Sequence, residues 1–420
     1  MKKNMKIVAA LISIGLVSPM AYATNGDEMM AVGAQSTALG GTGVANYMGA
    51  DSTWANPAML GKSKGSEVVG GIVYFSPKVT NTGFTGTTAA TSDAKPSVIP
   101  DVSYSSRISD SLSYGVAMAG IAGMGVDYES ANQAAYVKAR TAMSILRVAP
   151  TIAYNDKDYG VGFSPVLQYG SLAISYDTTG FPGGGPVNAS KSANTNTGYG
   201  YTLGAFYNVM PTLTVAAAYQ SAINMKYGTQ LSVAGAGFNQ TFADNLEQPA
   251  EMKAGVAYTF ANNYTLTADY KSIQWSSAKG YKEFGWKDQT VVALGAKYTG
   301  TGFWLGAGYN QADDPIGTFN GAAFAAGGHF TDGQNGIGNF FNNMMFPAIV
   351  KNSYTFGGGY DISTALAIEA AATITPQVTK TVDVSDATYP GTGTPPPAGS
   401  LYNTTTHSQS AYSVSLRYKF

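Results

Sequence analysis

Cysteine is absent from all 420 residues, and histidine occurs twice, at His329 and His407. No disulfide framework can hold this fold, and a zinc or copper site has almost no ligands to draw on. Charge is scarce too. Only 12% of residues are Asp, Glu, Lys or Arg, where a soluble domain carries about a quarter. The formal net charge is −1; setting aside Lys2, Lys3 and Lys6 lowers it by three, to −4. Such a chain has no basic footprint for nucleic acid. Beyond residue 23 there is no run of ~18 apolar residues, which excludes helical membrane spans. What is plentiful is glycine (51), tyrosine (28) and apolar residues at 45% overall. That mixture suits a surface facing lipid, with an aromatic girdle at each rim.

The N-terminus carries an export signal. Lys2, Lys3 and Lys6 form a positive region, Ile7 to Val17 a short apolar stretch, and Ala21-Tyr22-Ala23 a small-x-small cleavage site. The apolar stretch falls short of the ~20 residues a bilayer requires. The mature chain is expected to begin at Thr24.

From Glu67 onward the chain alternates with period two. In Ala250 to Phe260, Met252, Val256, Tyr258 and Phe260 oppose Glu251, Lys253 and Gly255. In Tyr264 to Tyr270, Leu266 and Ala268 oppose Thr265, Thr267 and Asp269; in Gln289 to Tyr298, Val292 and Leu294 oppose Ala293, Gly295 and Lys297. Apolar-out and polar-in is the pattern of a membrane barrel, the inverse of a soluble one. Tight turns rich in Asn, Asp, Gly, Pro and Ser are expected at 108–111, 155–158, 209–212, 261–263, 298–302 and 361–364. Long loops alternate with them at about 77–96, 122–139, 177–197, 226–249, 276–288, 313–350 and 379–407. Six turns and seven loops predict an all-β fold, an antiparallel transmembrane barrel of about fourteen strands, turns to the periplasm and loops outside. The last strand alternates Tyr412, Val414, Leu416 and Tyr418 against Ser413, Ser415 and Arg417, and ends on Phe420. It resembles the signal read by the outer-membrane barrel-assembly machinery. A closed barrel leaves no edge strand, which suits a chain that cannot cross-link itself.

Residues 24–64 do not alternate. A small-residue segment of this length is too short for a domain, and its Met, Leu, Trp and Val are most cheaply buried inside the barrel. The series Thr24-Asn25-Gly26, Val32-Gly33-Ala34, Ala38 to Ala45 (Ala-Leu-Gly-Gly-Thr-Gly-Val-Ala) and Asp51 to Ala58 resembles the N-terminal hatch of the FadL/TodX family of outer-membrane transporters. The triplet Asn56-Pro57-Ala58 matches that family's hatch motif. The resemblance implies a signal peptide at 1–23, a hatch at 24–64 and a barrel at 65–420. It further implies passive uptake of hydrophobic compounds across the outer membrane, long-chain fatty acids first and aromatic or aliphatic hydrocarbons next. Substrate would be caught at extracellular loops, bound in the lumen and released sideways at a kink in the third strand, close to the hatch motif. Outer-membrane lipid would be the recipient, and no cofactor is implied.

Here the third strand, Leu112 to Ile121, runs into a glycine-rich stretch where Gly120, Gly123 and Gly125 permit a bulge or a plain strand end. Met29, Met30 and Trp54 are candidate substrate contacts, as are Phe341, Met344, Met345 and Phe346, which read as a greasy loop patch. A fatty-acid carboxylate would want an inward cation. Arg147 and Lys297 are candidates; so are Lys253, Lys271 and Arg417, although Glu251 and Asp269 on the same face favour an ion-pair network. An enzyme has little support: both histidines fall in predicted loops, without a Ser-His constellation. Asp313-Asp314 reads as a solvated pair rather than a calcium site. A non-specific porin, a barrel lipase using His329 or His407, and an adhesin are the competing classes.

Overall fold

The computed structural model describes residues 24–83, 89–131, 138–177, 188–189, 192–236, 242–319, 336–385 and 399–420. The expected signal peptide and His329 lie outside them. Among the described residues no helix is long and apolar enough to cross a membrane.

Fourteen antiparallel strands close into one barrel. They are β1 (Glu67–Asn81), β2 (Ser97–Arg107), β3 (Leu112–Asp127), β4 (Arg140–Asn155), β5 (Tyr159–Asp177), β6 (Asn194–Met210) and β7 (Leu213–Gln220). The second half is β8 (Glu251–Phe260), β9 (Tyr264–Ile273), β10 (Gln289–Gly300), β11 (Phe303–Ala312), β12 (Asn352–Asp361), β13 (Leu366–Asp383) and β14 (Tyr402–Lys419). Each pairs with its sequence neighbour, and β14 closes on β1 from Thr405↔Asn81 to Lys419↔Glu67. All six expected turns connect strands where the sequence puts them.

Alternation along the strands sets which face meets lipid. In β10, Leu294 is 48% exposed and Ala293 4%; in β14, Leu416 is 50% exposed and Ser415 1%. The exposed set is apolar and the enclosed set small or polar, as a barrel in lipid requires. At the turn end aromatic rings gather: Phe260 stacks on Tyr264, Tyr264 packs on Tyr298, and Phe420 stacks on Tyr104. Phe420 N–H also donates to Ser66 O, fixing the last residue to the rim.

Four strand ends in particular differ from the sequence reading. β3 continues through the glycine-rich stretch to Asp127, and β1 and β13 run to Asn81 and Asp383. β14 starts at Tyr402, so His407 sits on a strand and not in a loop, buried, with Nδ1 against Pro347 O and Nε2 against Gln409. These extensions stand where both faces of a strand can be polar, so the apolar-out signal fades before the strand does.

The N-terminal segment fills the lumen. Its short helices α1 (Ala34–Ala38) and α2 (Ser52–Ala55) and a 3-10 turn (Pro57–Lys62) are bonded to the inner wall on widely spaced strands. Gly40 N–H donates to Thr355 of β12, Thr42 pairs with Thr267 of β9, Asn56 donates to Ala205 O of β6, and Gln35 donates to Glu369 of β13.

At the opposite end from the turns, the loops have a core of their own. Trp275, Tyr281, Phe284 and Trp286 pack with Phe340, Phe341, Met344, Met345 and Phe346 in one buried cluster. The greasy patch expected at 341–346 is therefore enclosed, because the 274–288 loop lies over it.

Candidate lumenal site and lateral opening

The hatch motif is seated by glycines in the wall. Asn56 Oδ1 accepts from Ala58 N–H, and its amide donates to Val44 O and Ala205 O at 2.8 and 3.2 Å. A Cβ at Gly204 would stand 1.9 Å from Asn56 Oδ1, and one at Gly162 would stand 2.3 Å from Ala58 N. The turn thus touches bare backbone of β5 and β6. It reaches β3 through Leu60 at Gly115, in the turn-side half of that strand and away from the glycine-rich stretch. Its seat is the β4–β6 wall.

Between hatch and wall lies a cavity of about 90 Å³. Met29, Met30, Val44, Met48 and Trp54 line it from the hatch, and Ile121, Arg147, Gln220, Glu251, Lys253 and Lys271 from the strands. Arg147 has donors only. It gives Nε to Gln168 Oε1 at 2.7 Å and Nη1 to Gln220 Oε1 at 2.9 Å, while Nη2 stands 3.8 Å from Glu28. Glu251 holds Lys253 at 3.2 Å and Lys271 at 3.4 Å. Asp269 accepts the Gly43 and Val44 N–H groups.

A second ionic cluster lies nearer the turns. Arg417 bonds Glu369 through Nε and Nη2 at 3.2 and 3.1 Å, Glu67 at 2.9 Å and Asp51 of the hatch at 3.5 Å. Lys297 points inward from β10 within electrostatic reach of Glu369 and Arg417. Thus Met29, Met30, Trp54 and Arg147 converge on one cavity, while Lys297 belongs to the other cluster. Phe341, Met344, Met345 and Phe346 belong to the loop core.

The third strand has an open edge. β2 pairs with β3 from Arg107↔Ser113 only as far as Asp101↔Ala119, and Ser97 to Pro100 go on pairing with β1. Beyond Ala119, β4 is the one barrel strand that pairs with β3 among the described residues, with a register shift between Gly120 and Ala122. The hatch covers the vacated edge: Glu28 pairs with Ala122, and Gly123 N–H donates to Asp27 O at 2.9 Å. Further out, Asp93 N–H donates to Asp127 O and the Asp127 N–H to Ser92 Oγ, which bounds the stretch of β3 that β2 does not pair. Asp27 also accepts from Gln248 and Tyr281, tying the same segment to the loops. Burial pushes the Asp27 carboxyl up to about 6, against the hydrogen bond from Tyr281. Burial, with the Glu251 charge adding to it, pushes Glu28 up to about 8, and Arg147 opposes the rise.

Sequence reasoning missed Asp27, Glu28, Gln168 and Gln220. The signal for the two glutamines was their inward phase on β5 and β7. For the acids it was charge in a segment otherwise made of small and apolar residues. Among the described residues no group of three or more His, Asp or Glu could hold a metal.

The chain matches, over residues 14–420, the family model described as outer membrane protein transport protein (OMPP1/FadL/TodX). It is similar to the crystal structure of a Pseudomonas aeruginosa FadL homologue: 14% identity, TM-score 0.68, covering 94% of this chain and 100% of that one. The Pseudomonas putida toluene transporter TodX is similar at 19% identity and TM-score 0.66, with 94% and 100% covered. The Ralstonia pickettii toluene transporter TbuX is similar at 18% identity and TM-score 0.61, with 93% and 99% covered. At these identities the structural likeness is one of fold. No curated protein matches the chain. The family model spans the barrel and its plug together, and the chain belongs to the OMPP1/FadL/TodX family of bacterial outer-membrane proteins, which transport hydrophobic compounds and are not enzymes.

Proposed function

We propose that the transported compounds are long-chain fatty acids, bound by carboxylate at Arg147 and by chain among Met29, Met30 and Trp54, and released between β2 and β3. The observation that carries this reading is the make-up of the cavity. Met29, Met30, Val44, Met48 and Trp54 of the hatch face Arg147, Lys253 and Lys271 on the strands, beside Glu28, Asp51, Glu251 and Asp269, and a neutral hydrocarbon would gain nothing from the cations in that wall. Methionines adapt to an irregular chain. Release sideways lets the acyl chain pass from lumen to bilayer without crossing water, which would cost about 0.8 kcal/mol for each exposed CH₂. Gly120, Gly123 and Gly125 belong to the strand segment that lacks β2 as a neighbour, and the kink assigned to them serves as that exit. Capture begins at the loops, where Phe341, Met344, Met345 and Phe346 form a core able to part around a greasy chain. The strand ending in Phe420 is the segment the barrel-assembly machinery recognises.

Monoaromatic hydrocarbons are the second reading. The cavity of about 90 Å³ is nearer the ~150 Å³ that accommodates one benzene ring than the room an acyl chain needs. A lumen occupied by the hatch weighs against a non-specific porin.

The test is uptake of labelled oleate and labelled toluene by cells that lack their own transporter and express this chain. Arg147→Gln is expected to lower oleate uptake about ten-fold, the weight of one charge-assisted hydrogen-bond pair, and to leave toluene unchanged. Toluene entry without oleate entry would transfer the proposal to the second reading.

A further inference from the structure

His407 and Gln409 stand side by side on the inner face of β14, where both neighbouring strands are irregular. Val79 and Pro77 face them from β1. On the other side β13 carries Pro376 and shifts register between Thr375 and Val378. Proline gives no N–H to a ladder, and a bulge re-aims the side chains beside it. Between this seam and the stretch of β3 that β2 does not pair lies a second cavity, of about 20 Å³. Pro77, Val79, Met124, Ala348, His407 and Gln409 line it, along with glycine backbone of β3 and the hatch.

The hydrogen bonds of this pair can be assigned atom by atom. Pro347 O can only accept, and it stands 2.7 Å from His407 Nδ1, so Nδ1 carries the imidazole proton. A buried imidazole whose partners are a carbonyl and an amide holds one proton, which makes Nε2 an acceptor. Gln409 Nε2, 3.0 Å away, therefore donates to it. This fixes the amide with its oxygen turned from the ring. Gln409 is 5% exposed, and its Oε1 is buried without a hydrogen-bond partner. The wall thus carries one unsatisfied side-chain acceptor among apolar groups, and no lysine or arginine lines the cavity. The Arg147 cavity is the reverse: there the unspent groups include the donors Gln168 Nε2, Gln220 Nε2 and Arg147 Nη2.

We propose that this cavity is a second head-group site, which takes the O–H of a neutral amphiphile (a protonated carboxylic acid, an alcohol or a phenol) with Gln409 Oε1 as its acceptor. A carboxylate would set lone pairs against that oxygen and meet no cation. An uncharged O–H supplies the one bond that is missing. Room for about one oxygen-sized group suits a head group whose hydrocarbon body lies outside the cavity. A lone water suits it less, since water wants two to four polar partners and most of the wall is Pro77, Val79, Met124 and Ala348. Asn25 and Glu28 line the Arg147 cavity and Gly26 lines this one, so the two sites flank one hairpin of the hatch. They sort a molecule by its charge: Arg147 receives the anion, Gln409 the neutral form that dissolves in lipid. The inference goes beyond the fatty-acid reading and does not need it, because an alcohol or a phenol is held in the same way.

The experiment uses the purified full-length barrel in detergent and fluorescent conjugated-tetraene C18 probes: an alcohol, its methyl ether and the corresponding acid. Gln409→Met keeps the bulk of the side chain and removes the acceptor. It is expected to bind the alcohol about five-fold more weakly, the weight of one neutral hydrogen bond, and the ether unchanged. Ala348→Val, which fills the cavity without touching the His407–Gln409 pair, should do the same. The ionised acid should bind Gln409→Met as it binds the parent chain, and Arg147→Gln about ten-fold more weakly. In the infrared spectrum of bound carbon-13 carboxyl hexadecanoic acid, Gln409→Met should lose the protonated-acid carbonyl band and Arg147→Gln the carboxylate band. Retention of the SDS-resistant form shows that each variant is folded. Alcohol and ether weakened alike would make Gln409 a packing residue. Alcohol binding that ignores both Gln409→Met and Ala348→Val would mean that water alone meets the acceptor. Either result overturns the second site and leaves the fatty-acid reading intact. An acid that binds Arg147→Gln unchanged would remove the fatty-acid reading and leave the Gln409 site standing.

Discussion

Replacing Arg417 by methionine is expected to free the hatch from the barrel wall and to destabilise the folded protein by about 3–5 kcal/mol, the usual cost of removing one member of a buried ionic network. The guanidinium, 4% exposed, holds three acids at once. Glu369 comes from β13, Glu67 from β1 and Asp51 from the hatch. Glu67 in turn accepts from the Ala50 N–H, and Glu369 from Gln35. One side chain therefore fastens the barrel seam to the plug at two places, near Gln35 and at Ala50–Asp51. Methionine fills the space but leaves three carboxylates in low dielectric without a counter-charge. Arg417→Lys should recover only part of the loss, because an ammonium cannot reproduce the bidentate contact with Glu369. The measurement is the temperature at which the barrel loses its SDS-resistant, fast-migrating form, read with protease nicking of the hatch. An unchanged transition would mean the hatch is held by its backbone contacts alone.

Deletion of residues 24–62, with residues 1–23 kept, is expected to raise single-channel conductance at least about ten-fold. A fourteen-stranded wall encloses a lumen wider than side chains can fill, in the range between small filled barrels and open porins. The hatch occupies that lumen and is bonded to β6, β9, β12 and β13. Without it, Arg147, Lys253, Lys271 and Arg417 would line a hydrated path. Oleate uptake should fall in the same variant, since Met29, Met30 and Trp54 go with the plug. A deletion barrel that conducts no better than the full chain would show that the loop core around Phe341 and Trp286 seals the lumen instead.

The parts of the fold that could be read in advance are those in which one face meets lipid. β8, β9 and β10 announced themselves because Met252, Leu266 and Leu294 must face out while Glu251, Thr267 and Ala293 face in. The same rule failed for the start of β14, where Asn403, Thr404, Thr405 and His407 give no apolar face to find. It failed again at β3, where a run of glycines reads equally as strand or loop. The cluster at 341–346 could not reveal its burial, because what covers it is the distant segment around Phe284 and Trp286. Of the site, Arg147 was visible from its phase on β4 and the hatch contacts from their chemistry. The pairing of Arg147 with Glu28 was not, since it depends on how a segment without periodicity lies in the lumen. The wall glycines that seat Asn56 were equally silent; only the closed barrel brings Gly162 and Gly204 beneath the motif.

The measurement that tests lateral passage most directly is oleate uptake through a barrel whose window can be locked. Glu28 and Ala122 are antiparallel partners, and facing residues in such a pair lie ~4.5–5.5 Å apart at Cα, within reach of a disulfide. The chain has no native cysteine to interfere. Cells expressing Glu28→Cys with Ala122→Cys should take up almost no oleate while oxidised. A membrane-permeant reductant should restore uptake to the level of Glu28→Cys alone. Equal uptake before and after reduction, with the disulfide shown to be present, would mean that substrate does not leave between β2 and β3.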